Sequence, residues 1–180
     1  MASRNPLSRL FRLAWPVLLL FWPEPVFAQR TALNWAIPYH GADKIFISKF
    51  LHNHSILGEW MGNGILKFDE NVSVAYIDLN KNETSEMIVG AVHSSATCGG
   101  TAPDAGCPFY VFRKAFEKWE LMGEVDGKEI LITNQYSDGY RIIWGHYYGF
   151  RWKKALKRFE AFCLDHVKKA CENPSKDESG

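Results

Sequence analysis

Beyond residue 28 the sequence has no apolar run approaching the ~20 residues needed to cross a bilayer, so no transmembrane segment is expected in the rest of the chain. Neither sign of charge dominates, with 21 Lys and Arg against 20 Asp and Glu. A chain without a global positive field is not expected to bind nucleic acid. Familiar catalytic signatures are missing. There is no G-x-S-x-G, no H-E-x-x-H, no Gly-rich phosphate loop and no G-x-G-x-x-G. Cysteine is limited to four residues, and none has the C-x2-C spacing of a structural zinc site. No internal repeat stands out.

What is present begins with a leader. Arg4, Arg9 and Arg12 precede an apolar run from Leu13 to Trp22, and Val26-Phe27-Ala28 ends in a small residue. This pattern predicts a secretory signal peptide over 1–28, cleaved before Gln29. Pro23, Glu24 and Pro25 interrupt the run too early for a retained anchor, and no cysteine sits at the cleavage site to take a lipid. Cleavage removes Arg4, Arg9, Arg12 and Glu24 and leaves the mature chain one charge below neutral. The expected location is periplasmic or secreted. Residues 29–172 are expected to form a single globular domain, followed by a polar tail over 173–180.

All four cysteines, Cys98, Cys107, Cys163 and Cys171, lie beyond the leader, and an even count in an exported chain predicts two disulfides. Cys98 and Cys107 flank Gly99, Gly100, Pro103 and Gly106, a flexible loop that closes readily. The local pair Cys98–Cys107 is therefore favoured, leaving Cys163–Cys171 by elimination. Eight residues of intact helix span about 12 Å, beyond the ~7 Å Cα limit of a bridge. Either the helix ends before Cys171 or the pairs cross over.

Periodicity sets the expected architecture. Asp43–His54 reads as a short helix, and 53–64, with Gly58, Gly62 and Gly64, reads as turns. From Ile65 the period changes to two. Strands are expected at 65–68, 72–79, 86–93, 109–113, 119–125, 129–133 and 140–148. Asp126-Gly127 and Asp138-Gly139 are expected as hairpin turns. Lys153–Ala170 returns to helical spacing, with Leu156, Phe159, Phe162, Cys163 and Val167 on one face. The expected fold is α+β: an antiparallel β-meander of about seven short strands packed against a C-terminal amphipathic helix.

Three groups of residues are candidates for chemistry. Tyr140, Ile142, Trp144, His146, Tyr148, Phe150 and Trp152 share the even side of an extended segment. Exposed, that side would be an aromatic platform for a glycan or a protein, with Trp144, Tyr148 and Trp152 as contact residues. Buried, it would be the inner face of the last strand. His52 and His54, with His93 and His146 elsewhere, lack the spacing of a metal site. Glu59 with Asp69, or Asp78 with Glu86, are the acidic pairs that a glycoside hydrolase would need.

The sharpest local motif runs from Asp78 to Glu86, with oxygen-bearing side chains at 78, 80, 82 and 84, followed by Met87-Ile88-Val89. It resembles the D-x-N-x-D-G-x-x-E hairpin of FG-GAP and VCBS-like exported bacterial proteins. The resemblance covers about Val72 to Val92. It implies a calcium loop with Asp78, Asn80, Asn82 and Glu86 as ligands, and a β-propeller built from repeated blades. Asn82 stands where the family has Asp, and Glu83 where it has Gly, which weakens both ligand charge and turn geometry. On their own, the residues read as a polar hairpin without a cofactor, and one copy of the motif cannot make a propeller. The expected function is an exported, non-catalytic binding or accessory module for an envelope protein or glycan. A small envelope glycan hydrolase and a structural accessory of an envelope assembly are the alternatives.

Overall fold

In the computed structural model, the residues described are 30–35, 41–91, 106–145 and 148–163. The leader, Cys98, Cys171, His93, His146 and the tail lie outside them. Short helices come first: α1 (Gly41–Asn53), α2 (Ser55–Gly62) and α3 (Phe68–Asn71). They follow β1 (Arg30–Ala32) and precede β2 (Val72–Ile77), β3 (Glu86–Ala91), β4 (Cys107–Ala115) and β5 (Lys118–Gly127). The chain continues through β6 (Leu131–Ser137), β7 (Tyr140–Trp144), β8 (Tyr148–Lys153) and β9 (Arg158–Cys163).

The strands form two antiparallel sheets, β2-β3-β4-β5 and β1-β6-β7-β8-β9. The four-stranded sheet is the middle layer, because its strands are apolar on both faces. All six residues of β3 are buried. Met87 and Val89 join Ile47, Leu51 and Leu57 in a cluster beneath α1 and α2. Ile88 joins Ile132, Ile143 and Phe150 in a second cluster between the sheets. Along β4 the same division holds, with Tyr110 and Phe112 towards the helices and Phe109 and Val111 towards the other sheet. Asp43 pins α1 in place by accepting hydrogen bonds from the Tyr76 hydroxyl and the Trp119 indole N–H, both at 2.7 Å.

The expected C-terminal helix is therefore overturned: the segment from 153 to 163 completes the hairpin β8–β9, and 164–170 lie outside the described residues. The expected strand 140–148 is also corrected. It breaks at Gly145, so that Ile143 on β7 pairs with Phe150 on β8. Asp126-Gly127 is not a turn but the end of β5, paired with Pro108 and Cys107. The glycine-rich stretch 53–64 contains α2. Gly58 serves helix contact there: a Cβ on it would lie 2.3 Å from the His52 carbonyl oxygen.

A repeat emerges once the register is known. The sequence Tyr110-Val-Phe112-Arg113-Lys114-Ala115-Phe116-Glu117-Lys118-Trp119-Glu120 recurs as Tyr148-Gly-Phe150-Arg151, two inserted residues, then Lys154-Ala155-Leu156-Lys157-Arg158-Phe159-Glu160. The match is structural as well. Arg113 lies opposite Glu120 on β4–β5, and Arg151 lies opposite Glu160 on β8–β9. Phe112 pairs with Met87 of the preceding strand, as Phe150 pairs with Ile143. Each hairpin is the last pair of a four-stranded meander, β2–β5 or β6–β9.

A candidate binding surface at the hairpin end

In an antiparallel meander, alternate turns fall at the same end of the sheet. The β2–β3 loop therefore shares an end with the β4–β5 turn, and the β6–β7 turn with the β8–β9 turn. Contacts between the sheets bring the two ends together. The Arg141 backbone N–H donates to the Leu79 carbonyl at 2.7 Å, and the Lys81 ammonium sits 4.6 Å from the centre of the Tyr136 ring. The Lys154 N–H donates to the Asp138 carboxylate at 3.1 Å. Four connections thus form one surface.

The 78–86 loop is closed by its own backbone. Asp78 accepts N–H bonds from Asn80, Asn82 and Glu83 at 3.1, 3.3 and 3.0 Å. Asn80 accepts from the Asn82 N–H, and Asn82 from the Thr84 N–H. Alternate spacing therefore builds a ladder of Asx turns, each side chain capping the amide two residues on. Glu86 accepts from the Leu79 N–H at 2.8 Å and from the Asn80 side-chain amide at 3.2 Å. The oxygens that the resemblance assigns to calcium are thus already accepting hydrogen bonds. Among the described residues no group of three or more His, Cys, Asp and Glu is placed to hold a metal ion. Asp78, Asn80, Asn82 and Glu86 thus share one loop whose closed shape their own hydrogen bonds maintain.

Lys81 and Glu83 sit in the left-handed region, at φ 60° and 65°. Glu83 is where the resembling family has Gly. Replacing Glu83 with Gly keeps its N–H bond to Asp78 and relieves the Cβ strain, so stability is expected to rise by about 1 kcal/mol. Chemical denaturation of the variant checks this, and a loss of stability would refute the strain argument.

Glu86 is 3% exposed. Burial raises its pKa, against the lowering effects of the Leu79 N–H and of Arg113. Asp78 has the opposite balance: burial pulls its pKa up, but the backbone N–H groups of Glu83, Asn80, Lys81 and Asn82 together hold it below the ordinary value. A carboxyl whose folded pKa is raised contributes stability that is full below the unfolded pKa and is lost as pH rises through the folded one. Wild type is therefore expected to lose the Glu86 contribution as pH climbs above about 4.5. Glu86→Gln, which stays neutral, removes that loss. Its stability relative to wild type is expected to grow from pH 4 to pH 7. Parallel denaturation curves across this range measure it, and a gap independent of pH would contradict it.

The two repeated hairpins carry apolar tips. Phe116 is 100% exposed and sits at φ 47°, next to Glu117 at φ 64°. Both central residues of a two-residue turn are thus in the left-handed region that Asn and Gly occupy best. An aromatic side chain there costs stability and gains no contact within the chain. Its counterpart, Leu156, is 51% exposed in the four-residue β8–β9 turn. The hairpin base is held firmly, because Trp119 is bonded to Asp43.

The aromatic residues proposed from the sequence fall apart as a platform. Trp152 is 5% exposed and packs edge-on to Phe159 at 5.5 Å between the sheets. Trp144 is half-buried at the end of β7, and Tyr148 is exposed at the start of β8. The turn at Gly145 changes the parity, so these three do not share one accessible face. Cys107 is disulfide-bonded to a residue outside the described set. Cys163, at the end of β9, is a free thiol, so the expected Cys163–Cys171 pair is not formed. Of the acidic pairs, Glu59 and Asp69 are on α2 and α3, while Asp78 lies in the β2–β3 loop and Glu86 opens β3.

A different cluster was missed from the sequence. His54 Nδ1 accepts from the Leu57 N–H at 3.4 Å, and its Nε2 lies 3.2 Å from the Tyr110 hydroxyl. Glu124 is directly opposite Tyr110 on β5, with Asp126 two residues on. Both side chains reach the surface, and partial desolvation against the sheet moves both pKa values up; for Glu124 the charge on Asp126 adds to the rise and His54 opposes it. Only strand register brings these positions together. The exposed tips, by contrast, left a trace in the sequence as the two copies of Lys-Ala-Phe/Leu-x-Lys/Arg. No protein-family model, curated protein or solved structure matches the chain.

Proposed function

We propose that the protein is an exported, non-catalytic binding module that meets its ligand with the hairpin end. The observation that carries this is the display of Phe116, wholly exposed on a left-handed turn. Strain without internal compensation is a mark of functional positions. The positively charged start, apolar run and Val26-Phe27-Ala28 ending of residues 1–28 support export. Phe116→Asn separates binding from folding, since Asn accepts the turn geometry better than Phe. The variant is expected to unfold at higher denaturant concentration than wild type while losing its partner in capture from an envelope extract. Undiminished capture would refute the assignment.

The cluster at His54, Tyr110, Glu124 and Asp126 favours a second reading, a small glycan hydrolase. Two carboxyls with raised pKa values on one strand face are the material of general acid catalysis. Turnover of purified cell-wall glycan that is lost in Glu124→Gln would establish it and displace the binding reading.

A further inference from the structure

The binding reading of the hairpin end can be carried to a class of partner. We propose that this end docks on an anionic phospholipid surface, Phe116 and Leu156 entering the interface and the cations around them meeting lipid phosphates. The inference rests on the proposed use of the hairpin end and names what that end meets.

Charge is segregated there. Segments 78–85, 114–118, 136–141 and 153–158 hold eight Lys and Arg against four Asp and Glu, although the whole chain is close to balance. The Lys114–Glu117 pair at 3.1 Å spans one turn. Among the described residues, Lys118, Lys154, Lys157 and Arg158 are exposed and form no ion pair. A basic surface studded with apolar side chains is what the headgroup region of an anionic bilayer selects, each cation near the surface adding about 1 kcal/mol.

The apolar tips stand at the outer limit of this end. Pairing of β3 with β4 stops at Phe112, whereas β4–β5 pairing continues to Ala115 and Lys118. Pairing of β7 with β8 stops at Phe150, and β8–β9 pairing continues to Lys153 and Arg158. The paired stretches are packed on the protein through Trp119, Trp152 and Phe159, and the turns beyond them carry Phe116 and Leu156 into solvent. Apolar side chains so placed can enter the headgroup region while the cations beside them stay within the ~8 Å screening length of physiological salt. The same Lys-Ala-apolar order and the same flanking cation occur in both repeats. A single pocket on a protein partner would need only one tip. A laterally extended surface uses both.

Sedimentation of mature protein, its disulfide intact, with vesicles provides the test. Vesicles of phosphatidylcholine containing phosphatidylglycerol are expected to retain it, and vesicles of phosphatidylcholine alone are not. Retention is expected to fall with added salt. Phe116→Asn with Leu156→Asn is expected to lower partitioning roughly tenfold or more, as is Lys154→Glu with Lys157→Glu, at unchanged fold by near-ultraviolet circular dichroism. Equal binding to both vesicle types, no binding to the anionic ones, or indifference to the tip substitutions overturns the inference. So does retention on an acidic polysaccharide or an acidic protein that matches the vesicles and ignores the tips. If vesicles fail but capture of an envelope partner still requires Phe116, the membrane inference falls and the binding reading stands. If Phe116→Asn alters neither, both fall.

Discussion

Replacing Phe112 with Ala is expected to lower the unfolding free energy by about 3–5 kcal/mol, a large part of the 5–15 kcal/mol that holds an ordinary domain. Phe112 is 1% exposed on the helix side of the middle sheet. Its ring meets Phe46 and Phe50 edge-on at 5.2 and 5.0 Å. It pairs with Met87 on β3 and, across the bulge in β5, with Leu121. Truncation therefore opens a cavity at the point where α1 rests on the sheet. The neighbours are poorly placed to fill it, because α1 is also held by Asp43 through Tyr76 and Trp119. Thermal and chemical denaturation measure the loss. Phe116→Asn, the same residue type four positions on, is expected to change stability in the opposite direction. A loss below about 1 kcal/mol for Phe112→Ala would mean that the helix layer closes over the gap.

How far the sequence reveals this fold depends on which signal each segment offers. Val72–Ile77 and Glu86–Ala91 are legible because β-branched and apolar residues run between polar turn residues. Helix α1 is legible within two residues from its spacing and from Asp43 near its start. Helix α2 is hidden because Gly58 mimics a turn residue, while its actual role is to let α2 approach the end of α1. The hairpin β8–β9 imitates a helix. Its four-residue turn places Trp152, Leu156 and Phe159 at intervals of four and three, although Leu156 faces solvent and the other two are buried. A long apolar-periodic window cannot distinguish these cases when the turn has neither Gly nor Pro. The repeat was concealed by the same turn, which is two residues longer in the second copy. The Asx ladder of 78–86 was visible as spacing, but spacing alone does not say whether the oxygens face a cation or the loop's own amides. Nor does it foretell that His54, on the loop between helices, meets Tyr110, which lies opposite Glu124. That meeting requires the helices to lie on the sheet.

Gly145→Ala is the second large effect, and it tests the way the two sheets are joined. Gly145 opens the turn between β7 and β8, where its N–H donates to the Tyr148 carbonyl at 2.8 Å. A Cβ there would stand 2.2 Å from the Asp126 carbonyl oxygen on β5 and 3.3 Å from the Phe150 ring. The close contact is backbone of the neighbouring sheet, so no rotamer change can relieve it. One sheet must move relative to the other, and the inter-sheet cluster around Ile143 and Phe150 would open with it. A loss of about 3 kcal/mol is expected, at the upper end of overpacking costs. Gly62→Ala is the control, because a Cβ at the end of α2 meets nothing within 4 Å and is expected to be neutral or slightly stabilising. Thermal and chemical denaturation of the two variants measure the difference. A Gly145→Ala protein as stable as Gly62→Ala would show that the turn does not bear on β5 as the geometry requires.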